Sequence, residues 1–462
     1  MNINPRTAEA NKLLLDGSLA LAHAEQHGIR VDLNYAEKRK QKLTQRIEKL
    51  EKNLKATNFY KRWEHVSKRV NINSNSQLAH YLYITRKLTP VYKTKSGTGA
   101  TDEAALKALN IPELDTIIEI RKLRKIRNTY LEGFIREAVR GYIHPFFNLN
   151  LVRTFRSSSD HPNFQNIPIR DTEAMEATRQ VLYPRPGHQL LEVDFSGLEV
   201  RIAACYHHDP TMIEYISNPN SDMHRDMAEQ IFMFKYNNSS NHKTLRAAAK
   251  NGFVFPQFYG SYYGNCAINL ACDWGKLSQG TWKDGQGIDV YEGNVSLSTH
   301  LRNQGIKSFK EFTEHIKDIE DDFWNRRFSD YQRWKDRWWK TYQKYGYIDM
   351  LTGFRCSGVM DYNDVINYPV QGAAFHCLLW TLIEVDRIAR EEHWDSRLIG
   401  QIHDSALTDT HPSELQHVAQ TFRRVACEEL PKAWSWIIVP LDVEIEVAPV
   451  DKSWAEKKLY VI

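Results

Sequence analysis

In the stretch HQLLEVDFSGLEVRIAACYH, His188 to His207, the spacing of apolar residues changes period at Ser196. Before it the residues alternate as in a strand; after it Leu198, Ile202 and Cys205 share one helical face. A strand therefore runs directly into a helix, with Asp194 at the strand end and Glu199 in the first helical turn. SRLIGQIHDSALTD reads as a hairpin by alternation, and VPLDVEIEVAPVDKSW contains a final strand. Strands around Asp194, around Asp404 and at Leu441 to Val447 can form one antiparallel sheet crossed by helices, which makes the fold class α+β. His403 and Asp404 stand side by side in the second of these segments. If that segment is extended, the two point to opposite faces, and the carboxylate needs solvent, a counter-charge or a metal. An ordinary turn or strand end is the plain alternative.

The N-terminal part is helical and basic. A helix from Pro5 to His27 and a basic run from Tyr35 to Lys55 are followed by the polar turn VNINSNSQLAHYL, in which Ser76 can cap a helix starting at Gln77. The loop YKTKSGTGATDEAAL leads to a helix capped by Thr101, and IPELDTIIEIRKLRKIRNTYLEGFIREAV is again helical. Ala36 to Lys95 hold sixteen Lys or Arg against four Asp or Glu, a surface for phosphates or a solvated helix pair. Arg156 to Asn166 form a polar gripping loop. Between Asp222 and Gly260 the pattern is helical, with Arg246 and Lys250 four apart on one face, either solvated or holding an anion. Residues 275–305 read as an exposed Gly-rich excursion, the aromatics after Phe323 as helix contacts, and DVINYPVQGAAFHC as a buried helix announced by Asn367 and Gln371.

The formal charge of +4 over 462 residues is mild, and 42% hydrophobic with 26% charged residues describes a folded chain. The six cysteines have no C-x2-C spacing, which points to a reducing compartment rather than to a zinc site or disulfide framework. No segment reaches the roughly 20 apolar residues of a membrane span, and the start lacks signal-peptide order. The expected location is cytoplasmic, in the host if the source is a phage.

EVDFSGLEVRIAA, TLRAAAKNGFVFPQFYG and GQIHDSALTD resemble, in order, the three signature motifs of family A DNA polymerases of the bacterial DNA polymerase I type, phage members included. FRSSSDHPNFQNIP, DMHRDMAEQIF, YPVQGAA, VNINSNSQL and KTKSGTGATDEAALKAL add further matches, so the resemblance covers essentially the whole chain. It implies a right-hand polymerase fold with an antiparallel-sheet palm, a helical thumb and helical fingers. The divisions implied are a palm-associated segment at 1–34, a thumb at 35–130, palm at 131–205, fingers at 206–345 including the insertion, and palm again at 346–462. The implied activity is template-directed addition of dNTPs to a primer 3'-OH with two Mg2+ ions, Mn2+ being able to substitute. The partners are primer-template DNA and dNTPs, with a separate exonuclease or processivity protein, and the subunit is expected to be monomeric. Only about 30 residues precede the arm, so no intrinsic 3'-5' exonuclease is expected.

By the same resemblance Asp194 and Asp404, 210 positions apart, come from adjacent strands and hold the metals together with the Phe195 backbone carbonyl. Arg246 and Lys250 meet the triphosphate, Lys250 also serving catalysis, and His224 helps hold the phosphates. Tyr259 stacks near the templating base, and Glu199 closes the space beneath C2' of the incoming sugar against Phe255. Arg156, Asn163, Gln165, Asn367, Gln371, His403, Lys93 and Lys95 hold DNA, partly through minor-groove acceptors shared by all base pairs. His403 is expected to face away from Asp404.

Three departures matter. Ser405 stands where the family usually has a glutamate, which leaves two carboxylates. Phe155 replaces a small residue beside Arg156. Lys250 and Tyr259 are one residue farther apart than usual: counting back from Tyr259 gives Phe255 as the aromatic beside the sugar, counting forward gives Val254, and Phe253 is the reserve. A helix bulge absorbing one residue favours Phe255. A single-subunit RNA polymerase and a scaffold with a decayed site are the competing readings.

Overall fold

A computed structural model describes residues 4–94, 96–169, 171–291 and 295–462. The chain divides into two units, one of Met1–Arg46, Lys122–Ser217 and Arg333–Ile462, the other of Ile47–Arg121 and Asn218–Gln332.

The first unit is built on a five-stranded antiparallel sheet. Its strands are β1 (Gln189–Phe195), β2 (Arg397–Ile402), β3 (Ser405–Thr410), β4 (Val443–Val447) and β5 (Lys458–Leu459), in the order β2-β3-β1-β4-β5. All of β1 is buried except Asp194, as a central strand covered on both faces requires. Ser405 on β3 and Glu444 on β4 flank Asp194 in register. Two long helices cross beside the sheet: Ala8–His27, and Tyr362–Glu391, opened by a capping box between Asp361 and Asp364. They cross closely because Gly17 has no side chain; a Cβ there would stand 2.8 Å from the Leu379 methyls. Gly197, at φ +61°, turns β1 into the helix Leu198–His207. Tyr206 on that helix ties the core together, donating to the Pro369 carbonyl at 3.2 Å and accepting from the Leu351 N–H at 3.1 Å.

Glu192 on β1 is buried with its charge answered. It accepts from the Trp454 indole at 2.7 Å and from Lys457 at 2.5 Å, and Arg179, whose guanidinium lies 3.9 Å from the Trp454 ring centre, is 3.7 Å away. The pairing of several donors with one carboxylate is what lets such a charge remain in the interior.

The second unit is helical apart from short pairings. In its N-terminal part Trp63 stacks on Tyr81 at 5.8 Å, with Phe59 edge-on to Tyr81 at 5.1 Å. Ser74, rather than Ser76, caps the helix Asn75–Ala79, and Asp102, rather than Thr101, caps Glu103–Ala108. Each chosen cap accepts the N–H three residues on, Gln77 at 3.2 Å and Ala105 at 3.1 Å, so position decides between neighbouring cap-type residues. Nor is 275–305 a bare exposed excursion: Trp282, Val290, Leu297 and Leu301 are fully buried around a short hairpin and the helix Leu297–Asn303. Among the described residues no helix is long and apolar enough to cross a membrane.

Candidate active site

Asp194 and Asp404 do come together, but not as two strand residues. His403 and Asp404 form the two-residue turn between β2 and β3, with His403 at φ +50°. The turn is held to β1 by the backbone, the Phe195 N–H donating to the Asp404 carbonyl at 3.1 Å. From behind it is held by Gln401, whose side chain donates to the His403 carbonyl. Gln401 in turn accepts from Ser157 at 2.7 Å and from Gln165 at 2.5 Å. Gln165 is thus largely buried, with its side-chain NH2 group engaged in this network.

The electrostatics of the pair follow from this placement. Solvent reaches Asp194, yet protein atoms crowd it enough that burial is the largest cause raising its carboxyl to about 7, followed by repulsion from Asp404 and Glu192, with Lys457 opposing. Asp404 is raised as well, by burial, against the pull of Arg156 and His403. Its Oδ1 is buried without a hydrogen-bond partner. Two adjacent carboxylates pushed upward, one with an orphaned oxygen, fit divalent cations, which would supply the missing charge and ligand. Among the described residues no cluster of three or more His, Cys, Asp or Glu is suited to a metal.

Ser405, opposite Asp194, is 4% exposed, and its hydroxyl donates to the Ile402 carbonyl at 3.0 Å across the turn. Beside the carboxylates Arg156 forms an ion pair with Glu199, a partner not expected for either. The preceding Phe155 is held at φ +59°, an unfavoured region for a bulky side chain, with its ring 5.6 Å from Phe354. Gly372 passes so near this loop that a Cβ would lie 2.5 Å from the Thr154 carbonyl oxygen. Asn367 and Gln371 are half-buried on the helix Tyr362–Glu391, and Asn163 is exposed, its side chain accepting from the Asn166 N–H at 3.2 Å.

In the second unit the extra residue after Lys250 becomes a π turn, Lys250–Val254, between the helices His242–Ala249 and Phe255–Phe258. The turn gives the three candidate side chains different surroundings. Phe253 is fully buried against Phe323, ring centres 5.5 Å apart. Val254 is buried too, whereas Phe255 lies 5.0 Å beneath the Lys250 ammonium and edge-on to His224 at 5.7 Å. Arg246 donates to Asp222 at 2.7 Å, a partner the sequence reading missed although Asp222 opens the motif DMHRD. His224 is kept neutral, its imidazole lowered to about 4 by burial and then by Lys250 and Arg246. Tyr259 is 47% exposed. Lys93 is exposed, and Lys95 lies outside the described residues. Phe253→Ala is expected to cost about 3–5 kcal/mol of stability through the cavity it leaves, and Phe255→Ala much less, in denaturant titrations.

The model of the family described as DNA polymerase family A matches residues 33–280 and 315–456. DNA polymerase I of Geobacillus stearothermophilus is 26% identical over 98% of this chain and 47% of its own length. That of Aquifex aeolicus is 28% identical over 85% of this chain and 60% of its own length. Among solved structures, the POL domain of Pol1 from M. smegmatis, in complex with DNA primer-template and dNTP, superposes with a TM-score of 0.74 over 96% of this chain and 70% of that one, at 24% identity. The α+β fold with an antiparallel palm sheet is therefore shared with that domain, and the chain belongs to DNA polymerase family A. It spans about half the length of the curated relatives it matches.

Proposed function

We propose that this chain adds dNTPs to the 3'-OH of a primer under the direction of a template strand. The observation that carries the reading is the meeting of Asp194 and Asp404, with its orphaned carboxylate oxygen, on a sheet matched by the family. Asp194, Asp404 and the Phe195 carbonyl would hold two divalent cations, Mg2+ or Mn2+. When bound, these lower the pKa of the primer hydroxyl and neutralise charge on the triphosphate and leaving pyrophosphate.

The remaining tasks fall to side chains. Arg246 and Lys250 supply positive charge for the triphosphate, Arg246 pre-oriented by Asp222. His224, neutral at physiological pH, offers a ring N–H without adding charge. Phe255 bears on the sugar and Tyr259 on the templating base, while Arg156, Asn163, Asn367, Gln371, His403 and Lys93 contact the duplex. Gln165 acts indirectly, by holding Gln401 and the turn that carries Asp404.

Primer extension with a defined template and single dNTPs tests the reading. Incorporation only of the complementary dNTP is expected; no incorporation, or preference for rNTPs, overturns it. Ser405→Ala should keep at least roughly a tenth of the rate, because its hydroxyl is spent on the Ile402 carbonyl and the loss should fall at the mild, about tenfold end of the cost of a lost supporting contact. A loss as deep as that from changing either aspartate would give Ser405 a direct part in the chemistry.

A further inference from the structure

Residues 281–314 lie between the two stretches that the family model matches. They attach to the far ends of the two helices that carry the side chains assigned to the triphosphate. The helix Met223–Phe232 bears His224 at its start, and its last four carbonyls, of Gln230, Ile231, Phe232 and Met233, need partners from outside it. Two imidazoles supply them. His300, 5% exposed on the helix Leu297–Asn303, donates from Nε2 to the Phe232 and Met233 carbonyls at 3.0 Å each. His315 on the helix Phe309–Asp322 donates to those of Gln230 and Ile231 at 3.2 Å each.

The helix His242–Ala249, which bears Arg246, is held at its first residue. Asn241 stands at its N-cap yet gives it no side-chain bond. Instead the Asn241 amide crosses 48 positions and donates to the Asp289 carbonyl at 2.5 Å, and Ser239 donates to the Val290 carbonyl, also at 2.5 Å. Both carbonyls belong to the hairpin strand Asp289–Tyr291, and the Tyr291 ring meets His300 edge-on at 5.3 Å. Hairpin and helix thus grip both far ends, while Asp222 joins Arg246 at 2.7 Å on the side of the site. We infer that this module is a brace that sets the angle between the two helices, with His300, Asn241 and Ser239 as positioning residues for the incoming triphosphate. The helix from Met223 is about 15 Å long at 1.5 Å per residue. A tilt released at its far end therefore moves His224 against Arg246 and Lys250 although none of the three is altered. The inference rests on the reading that these side chains bear on the triphosphate.

Single-nucleotide kinetics with varied dNTP at saturating primer-template test it. N241D is the sharpest variant, because aspartate caps a helix start as well as asparagine does but cannot donate to the Asp289 carbonyl. N241D and H300A are each expected to raise the dNTP KM about tenfold, within the roughly hundredfold range that a misplacement of about 1 Å can cost. The turnover number and primer-template affinity should change little, the pattern of lost nucleotide binding. H300Q keeps an N–H donor and should stay near the wild type. A purely structural role predicts another split: N241D would be harmless, and H300A would lower kcat through the fraction of active enzyme at unchanged KM. An unchanged KM in N241D or H300A, or an H300Q as impaired as H300A, overturns the brace. Melting curves establish that each variant is folded at the assay temperature; if H300A is not, N241D alone decides. Failure of the triphosphate reading shows separately, as an unchanged dNTP KM in R246A.

Discussion

Asp194→Asn and Asp404→Asn are each expected to lower primer extension by about three orders of magnitude or more while leaving primer-template affinity nearly unchanged, a depth seen when groups that act together at the reacting atoms are removed singly. Both carboxylates are held by backbone and not by ligand, through β1 and through the turn fixed by the Phe195 N–H and Gln401, so an amide of equal size should leave the fold intact. Steady-state extension rates beside fluorescence binding isotherms check the pair of outcomes. Near-normal turnover by either variant would remove the carboxylates from the mechanism.

The same substitution has a stability signature of known sign. In the unfolded chain Asp194 ionises near its ordinary 3.8, but in the fold only near 7, so the folded form prefers the neutral acid. Its contribution costs the fold nothing below the lower value, grows between the two and is fully present above about 7. Without divalent cations, D194N should therefore melt higher than the wild type at pH 8, with the advantage disappearing near pH 4. Added Mg2+ should stabilise the wild type and not the variant, which melting curves can read without any turnover.

Much of the site was legible because its residues sit in short segments of fixed spacing. The change of period at Ser196 placed Asp194 and Glu199, and the one-residue surplus between Lys250 and Tyr259 announced the π turn that now separates Phe253 from Phe255. What could not be read joins residues far apart in sequence. Gln401 meets Ser157 and Gln165 across 244 and 236 positions, and nothing local marks either as its partner. The core of 275–305 was hidden for a related reason, since Trp282 packs on Phe312, 5.5 Å away on a later helix, and its apolar residues follow no period. Caps failed differently: Ser74 and Ser76, or Thr101 and Asp102, are equivalent by type, and only the backbone entering the helix chooses between them.

Glu199→Ala is expected to relax discrimination against ribonucleotides by about a hundredfold, roughly the rejection a shaped pocket achieves against one added hydroxyl. The structure sets a rival account beside the sugar gate, because Glu199 is ion-paired with Arg156, and the glutamate's side chain is only 16% exposed. If its task is only to hold Arg156, then E199A should weaken primer-template binding and slow dNTP and rNTP addition alike, and R156A should reproduce it. If it closes the space beneath C2', the ratio of rNTP to dNTP incorporation should rise in E199A and not in R156A. E199Q separates the two contributions further: it keeps the bulk that excludes a hydroxyl and removes the charge that answers the guanidinium. A gate that works by shape predicts that E199Q retains discrimination while losing rate, whereas a gate that depends on the carboxylate held in place by Arg156 predicts that discrimination falls in E199Q and R156A together. Single-nucleotide kinetics with matched dNTP and rNTP on these three variants decide between steric exclusion, an ion-pair-dependent gate and simple anchoring. An unchanged ratio in all three would leave Glu199 as an acidic residue in a first helical turn, contributing about 0.3–1 kcal/mol to stability.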